Sequence, residues 1–473
     1  MKQRTTPRGG MAALSLAMLL ASLGTSIANV ALPALSLRFS VSFQQVQWVV
    51  LAYLLASTAL IVGAGRLGDL MGRRRLLLGG LLLFAAASLA AGLAAFPLLV
   101  ATRAAQGLGA AVMMALSMAF VADILPQERI GRAMGWLGTM SAVGTALGPS
   151  LGGAMIAAWG WRSIFFLLAA LAAAAWALAC HSLPEDEGSR PRGKAGFDQA
   201  GTALLALATA SYALAMTTGR GHFGAQNAAW LAAALAGGAA FVWRQRRAAS
   251  PLLRLDMLRD PGLSGGMAMS GLVAAVMMAT LVVGPFYLAR GLGLNMAEVG
   301  LVMSAGPALS ALSGLPAGMA VDRFGARGMA LAGLLAMLGG AVALSLTPAG
   351  WGVPGYLAAL LMLTAGYAQF QAANNTQVMA SSGANGRGLV SGLLNLARNL
   401  GLLTGAGAMG TVFAAAAGTD KLATAAPEAI ARGMHAAFAV SAGLIALAVL
   451  IALGSILPAL SAAVGREARR DAR

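Results

Sequence analysis

The segment GRLGDLMGRRR at residues 65–75 lies between two long apolar stretches, and a fainter copy, GMAVDRFGAR at residues 318–327, lies between two more. In the copy, Asp322 takes the place of Asp69, while Ala326 takes the place of Arg73 and the charge moves to Arg327. A charged, glycine-punctuated turn repeated at matching places in an apolar chain is what an internally duplicated transporter requires.

The surrounding chain fits that frame. Of its 473 residues, 59% are hydrophobic and only 10% charged, against about 25% charged in soluble domains. Runs long enough to cross a bilayer, about 20 residues, recur throughout. The expected fold class is therefore all-α: a polytopic membrane protein of 14 transmembrane helices, with two pseudo-symmetric six-helix bundles and two inserted helices. The spans fall at 10–32, 46–66, 76–95, 97–120, 133–157, 163–183, 199–218, 227–245, 263–289, 297–319, 328–346, 354–377, 388–416 and 434–460. The seventh and eighth are short and alanine-rich, and a twelve-helix reading would make them peripheral. The expected division is 1–183 for the first bundle, 184–261 for the linkers and inserted helices, and 262–473 for the second bundle with a short cytoplasmic tail.

A net charge of +17 raises nucleic acid as a partner, but the basic residues lie in short runs between apolar segments, as membrane orientation demands. With the N-terminus inside, inner segments hold 23 of the 32 lysines and arginines, and outer segments hold six. Both termini are then cytoplasmic, in a bacterial inner membrane. The first apolar segment follows Lys2, Arg4 and Arg8 and could be mistaken for a signal peptide, but it is long for one and many like it follow. The inner linker RQRRAASPLLRLDMLRDP, 244–261, mixes basic and apolar residues and is expected to lie along the lipid surface.

Enzyme chemistry finds no footing. Cys180 is the single cysteine, and His181, His222 and His435 are scattered without metal-ligand spacing. No phosphate loop, nucleophile elbow or paired-carboxylate site is visible. The expectation is no metal and no cofactor.

Several motifs remain. Gly65, Gly68 and Gly72 suit a sharp turn and close helix approach. Asp69 sits at the cytoplasmic mouth, and Arg73 can pair with a carboxylate such as Asp123. In LVATRAAQGLG, 99–109, Arg103 stands inside an apolar span, where an unpaired guanidinium costs several kcal/mol. It is expected to face a central cavity, with Gln106 and Gly107 one turn on. Snorkelling to the near interface is the alternative. Gly144, Gly148 and Gly152 form one stripe with Pro149 beside it, expected to let helices of opposite halves rock against each other. Generic small-residue packing is the alternative. In the twelfth and thirteenth spans, Gln369, Gln371, Asn374, Asn375 and Gln377 cluster, and Asn395, Arg398 and Asn399 share another face. Amides in a span either glue helices or line a wet cavity, and this density favours the cavity wall. Met113, Met114, Met277, Met278, Phe286 and Tyr287 offer either adaptable lining or core packing.

The chain resembles the major facilitator superfamily, and within it the fourteen-helix drug:proton antiporter group. Residues 65–75 look like that superfamily's loop between helices two and three. Residues 99–109 look like its fourth-helix motif, and GTMSAVGTALGPSLGG, 138–153, like the fifth-helix motif of antiporters. QWVVLAYLL, 47–55, and WGWRSIF, 159–165, fit the second helix and the start of the sixth. The resemblance implies export by alternating access and proton antiport. It points to Arg103, Gln106, Asn29 and Tyr53 for proton coupling or cavity lining, and to Gly65, Asp69, Gly72, Arg73, Asp123 and Asp322 for gating. One departure stands out. Helix one reads LGTSIANVALP at 23–33, with Gly24 where the group usually carries an aspartate. No acidic residue lies deep in any span.

The expected function is thus secondary-active export of small amphipathic or hydrophobic compounds, with small-molecule substrate, protons and membrane lipids as partners. Substrate-lining residues are Gln371, Asn374, Asn375, Asn395, Arg398 and Asn399. A monomer is expected, with a periplasmic adaptor as an open partner. An exporter without proton coupling and a non-transporting membrane sensor of the same fold are the alternatives.

Overall fold

The computed structural model describes residues 7–124, 127–185, 198–217, 224–248, 259–380, 387–419 and 422–471. Among the described residues, fourteen helices are long and apolar enough to cross a membrane. The N-terminal half comprises α1 (Pro7–Phe39), α2 (Phe43–Met71), α3 (Arg73–Leu93), α4 (Phe96–Ile124), α5 (Gln127–Trp159) and α6 (Arg162–Ser182). The inserted pair is α7 (Gln199–Thr217) and α8 (Ala225–Arg247). The C-terminal half comprises α9 (Pro261–Phe286), α10 (Met296–Phe324), α11 (Ala326–Leu346), α12 (Gly352–Ala380), α13 (Arg387–Thr404), α14 (Gly410–Ala417) and α15 (Pro427–Asp471). α13 and α14 are joined by a π turn, Gly405–Met409, and together form the thirteenth span. A second π turn, Tyr287–Gly291, extends α9.

The duplication is visible in helix lengths. α2, α3 and α4 have 29, 21 and 29 residues; α10, α11 and α12 repeat 29, 21 and 29. It is also visible in how the helices begin and end. α2 opens on a capping box between Ser42 and Gln45, and α10 opens on one between Asn295 and Glu298. Glu298, near a helix end by sequence, is therefore a cap. α2 ends at Gly72, φ 94° and ψ 125°, whose amide donates to the Gly68 carbonyl at 3.0 Å. α10 ends at Gly325, φ 84° and ψ 145°, whose amide donates to the Val321 carbonyl at 2.9 Å. Each is a one-residue turn between two helices. A side chain at such a φ is strained, and glycine is not. The repeated segment is thus mostly helix: residues 65–71 belong to α2 and only Gly72 turns. At 1.5 Å per residue, a 29-residue helix is about 44 Å long. That exceeds the roughly 30 Å hydrocarbon layer, so both turns can project past it. The end of the bundle that carries them is called the motif end below, and the opposite end the far end.

The inserted helices touch both halves. The Tyr212 hydroxyl of α7 donates to Thr404 Oγ1 at 3.0 Å, and the Thr411 hydroxyl of α14 donates to the Met216 carbonyl at 2.6 Å. α7 also packs on α2. At the motif end Asp198 clasps the pair. It accepts from the Gly201 amide at 2.9 Å, from Arg244 Nε at 3.2 Å and from Gln245 Nε2 at 3.0 Å. Burial alone would raise the pKa of this carboxyl. The Gly201 amide, Gln245 and Arg244 outweigh it and hold the group below the usual carboxylate range.

Candidate functional site

Arg103 is fully buried inside the N-terminal half. Its Nε donates to the Val49 carbonyl at 2.7 Å, Nη1 to Gln106 Oε1 at 2.7 Å and Nη2 to the Gly24 carbonyl at 3.0 Å. The guanidinium carbon lies 4.4 Å from the centroid of the Tyr53 ring. Gln106 Nε2 passes the network to Ser88 Oγ at 2.6 Å, and the Tyr53 hydroxyl donates to the Ala21 carbonyl at 2.6 Å. One arginine thereby ties α1, α2, α3 and α4 together. The charge is met by carbonyl dipoles and a π face in place of a carboxylate. The expectation that Arg103 opens onto a central cavity is corrected, and so is the snorkelling alternative. The side chain turns inward because each of its three nitrogens finds an acceptor inside the half, which offsets much of the desolvation cost. Gly24, the departure from the antiporter pattern, is part of this arrangement. A Cβ there would lie 2.9 Å from Phe84 Cζ, so the site is packed for glycine. Asn29 is also buried. Its Nδ2 donates to the Thr25 carbonyl on its own helix at 3.0 Å, and its Oδ1 has no partner among the described residues. Asn29, Tyr53, Arg103 and Gln106 are therefore core groups in this conformation, and none of them lines open space.

The glycine stripe faces a different neighbour from the one expected. Cβ atoms at Gly144, Gly148 and Gly152 would overlap Leu19, Ser26 and Ile27 of α1. Polar contacts run along the same seam: Ser26 Oγ donates to the Gly144 carbonyl at 3.2 Å, Ser22 and Ser141 share a 2.6 Å bond, and Trp136 Nε1 donates to Ser15 Oγ at 2.9 Å. The stripe seals α5 to α1 within one half. The adjoining face makes the crossing between halves. A Cβ on Gly153 would lie 2.8 Å from the Gly300 Cα of α10, and one on Gly300 would lie 2.9 Å from the Gly153 Cα and overlap the Pro149 carbonyl.

The halves also meet at the far end through α2. Gln47 Nε2 donates to the Ala406 carbonyl, which lies in the π turn between α13 and α14. A π turn breaks the i to i−4 ladder and leaves a carbonyl for an outside donor. Beside it, Phe43 of α2 packs edge-on against Phe286 of α9 at 5.0 Å and Phe413 of α14 at 5.5 Å. Gln47 and Gly300 are each the fifth residue of helices related by the repeat. The sequence offered Gln47 as part of a motif but gave it no role. Phe43 and Gly153 carried no signal beyond their apolar or small character.

The two motif copies differ. Arg73 Nη1 donates to the Ala119 carbonyl of α4 at 3.4 Å, and Arg74 Nη2 donates to the Cys180 carbonyl of α6 at 2.7 Å. Arg73 thus reaches the last turns of α4, where Asp123 lies. The Asp69 and Asp123 side chains, and with them the expected Arg73–Asp123 pairing, lie outside the described residues. Of the glycines, Gly68 meets Leu116, where a Cβ would stand 2.5 Å from Cδ2, but Gly65 has open space around it. The close-approach role expected of Gly65 is therefore corrected. In the second copy Asp322, Arg323 and Arg327 are all exposed. Arg327 borders an open cavity of about 640 Å³ whose walls also include Asp260, Phe324 and Gln377.

The amide cluster divides. Asn374 is buried, and its Nδ2 donates to the Gly266 carbonyl of α9 at 3.1 Å. It glues α12 to α9, and its expected place in a cavity wall is corrected. Gln371, Asn375, Asn395, Arg398 and Asn399 are half-exposed, and among the described residues none of them makes a hydrogen bond or ion pair.

Two six-helix halves related by an internal repeat, joined at one end and carrying unsatisfied polar groups within their spans, define a membrane transporter. The chain belongs to the Major Facilitator Superfamily, whose family model matches residues 14–406 and 288–471. It is 32% identical to the multidrug resistance protein Stp of Mycobacterium tuberculosis over 415 residues, covering 85% of this chain and 75% of that protein. It is 30% identical to the drug efflux pump JefA of the same organism over 442 residues, 91% of this chain and 86% of that one. Its fold is similar to that of a bacterial homolog of the human lysosomal transporter Spinster, with TM-score 0.70, 17% identity and coverage of 94% and 96%. The protein is a multi-pass membrane transporter with no enzymatic role.

Proposed function

We propose that the chain exports amphipathic or hydrophobic small molecules across the bacterial inner membrane by alternating access. The motif end and both termini are cytoplasmic in this reading, which the distribution of basic residues supports. The observation that carries it is the far-end junction. Phe43, Phe286 and Phe413 close over the space between the halves, Gln47 bridges to the Ala406 carbonyl, and the half-exposed polar groups of α12 and α13 lie on the motif-end side of that junction. A compound arriving from the motif end would meet Gln371, Asn375, Asn395, Arg398 and Asn399 before a closed barrier. The relatives named for multidrug resistance and drug efflux support export as the direction.

Proton antiport supplies the energy in this reading, through the motif-end carboxylates Asp69, Asp123 and Asp322. A second reading, export without proton coupling, is favoured by one observation: Gly24 replaces the helix-one acid, and its neighbour Arg103 is satisfied without any carboxylate. Purified protein in proteoliposomes, with a pH dye inside and a panel of cationic, neutral and anionic compounds outside, separates the two. We expect substrate addition to drive counter-movement of protons. Clear transport with no proton flux would establish the second reading, and no transport of any compound would remove both.

A further inference from the structure

α13 presents three faces. On the first, Val390 and Leu394 pack with Leu263 of α9 and Val378 of α12. Gly401 and Gly405 on the same face sit against the backbone of Gly271 and Ala275. On the second, Leu393 and Leu396 pack with Leu205 of α7 and Phe241 of α8, and Thr404 takes the Tyr212 hydroxyl. At about 100° per residue, the face left over carries Asn395, Arg398, Asn399 and Leu402. Two turns past Asn399 on that side is Ala406, whose carbonyl receives Gln47 from the other half. The third face therefore points across the junction between halves. Arg398 lies about 12 Å from Ala406 toward the motif end, beneath the far-end closure.

No group among the described residues answers the charge of Arg398. Among the described residues it has neither a hydrogen bond nor an ion pair, although it is only partly exposed. All 15 acidic residues fall at helix ends or in connecting segments. A guanidinium at membrane depth costs several kcal/mol unless paired or hydrated, and its planar fork matches a carboxylate or sulfonate. We propose that Arg398, flanked by the amides of Asn395 and Asn399, receives the anionic head of an amphipathic substrate. The transporter then selects organic anions with an apolar body over cations of the same shape. The proposal rests on the reading of this face as the substrate path, but it concerns head-group charge and not direction or coupling.

The test uses three ligands with one fluorescent body: dansylglycine, dansylglycinamide and dansylcadaverine, with anionic, neutral and cationic heads. Binding to the full chain in phosphatidylcholine nanodiscs is read at equilibrium, with no gradient, so failure of export or of proton coupling does not touch the result. We expect dansylglycine to bind about ten- to a hundredfold more tightly than its amide, and the cation least tightly. Arg398→Gln should erase the preference while leaving the amide's affinity within about twofold, and Arg398→Lys should keep part of it. Three results would overturn the proposal: a preference for the cation or for no head at all, a preference unchanged in Arg398→Gln, or no binding of any of the three. Repeating the titration with phosphatidylglycerol covers the remaining case. An anion preference abolished by that lipid would assign Arg398 to a headgroup, and the substrate claim would fall.

Discussion

In the N-terminal half Arg103 gives its donors to Val49, Gln106 and Gly24 and lays its plane on Tyr53; in the C-terminal half Arg398, also within a span, gives none among the described residues. The same contrast runs through the repeated turns. Arg73 and Arg74 tie the first copy to α4 and α6, whereas Asp322, Arg323 and Arg327 of the second stand exposed, Arg327 on the wall of an open cavity. Two halves with matching helix lengths, caps and turns have thus divided the polar work. The N-terminal half uses Arg103, Arg73 and Arg74 to hold itself together, while the C-terminal half leaves Arg398 and the exposed charges of its turn to meet something else. A buried polar group satisfied within the fold specifies structure, while an unsatisfied one within reach of the pathway is available for binding. Rocking needs at least one stiff body, and the N-terminal half has the network for that role.

The largest effect should come from removing the stiffener. Arg103→Met would leave the Gln106 side-chain oxygen without its donor, at about 1–3 kcal/mol, and would remove the second bond to the Val49 and Gly24 carbonyls of α2 and α1. We expect a collapse in folded yield and a large drop in melting temperature for the detergent-purified protein. Arg103→Lys, which keeps a charge but not the fork, should fall between. Arg398→Met should melt at or above the wild-type temperature, because it removes a guanidinium that the fold does not satisfy. Equal destabilisation at the two positions would break the comparison.

A smaller effect should separate the two turns. Gly72 and Gly325 have nearly the same backbone, so alanine brings similar strain at each, about 1–3 kcal/mol. The consequences for transport should differ. Gly72→Ala shifts Arg73 and Arg74 off their acceptors on α4 and α6, and drug efflux from intact cells should fall severely. Gly325→Ala disturbs a turn whose neighbours are exposed, and efflux should fall only in proportion to lost protein. Matching losses per folded molecule would show that both turns work as gates despite their different surroundings.

Much of this could be read from the residues, because it depends on period and composition. Fourteen spans, the inserted pair and the duplication follow from apolar length and from one recurring segment. Helix ends were harder to place. The repeated segment reads as a loop because of its charges, yet it is helix up to Met71, since arginine and aspartate are tolerated in a helix that has left the hydrocarbon. The site was legible as a set of residues but not as a set of directions. Arg103 and Arg398 look alike in sequence, and only three-dimensional packing shows that the Val49 and Gly24 carbonyls accept from one, while the other has no hydrogen bond or ion pair among the described residues. The glycine stripe at Gly144, Gly148 and Gly152 was legible as a packing surface, but its partner was not. Spacing tells which residues share a face, and it does not tell that α1 occupies that face while Gly153, one residue on, meets the other half. The Gln47 bridge needs a carbonyl freed by a π turn, and nothing in the sequence marks that irregularity.

The smallest expected effect bears on what the motif glycines are for. Gly65 and Gly318 occupy equivalent places in the two copies, and among the described residues no atom beyond the local helix lies within 4 Å of a Cβ built at either. Both sit inside helices, where alanine is favoured over glycine by roughly 0.5–1 kcal/mol. In the conformation seen here neither glycine is required, so Gly65→Ala and Gly318→Ala should each raise the melting temperature slightly and leave efflux near wild type. The informative result is a split between the two readouts. A variant that melts higher but transports poorly would mean that its glycine is closely packed in the other half of the cycle, where the motif end has shut. If only Gly65→Ala behaves that way, the first copy closes against a neighbour and the second does not, and the asymmetry between the halves extends to both conformations. If both do, the halves differ in how they rest and agree in how they close.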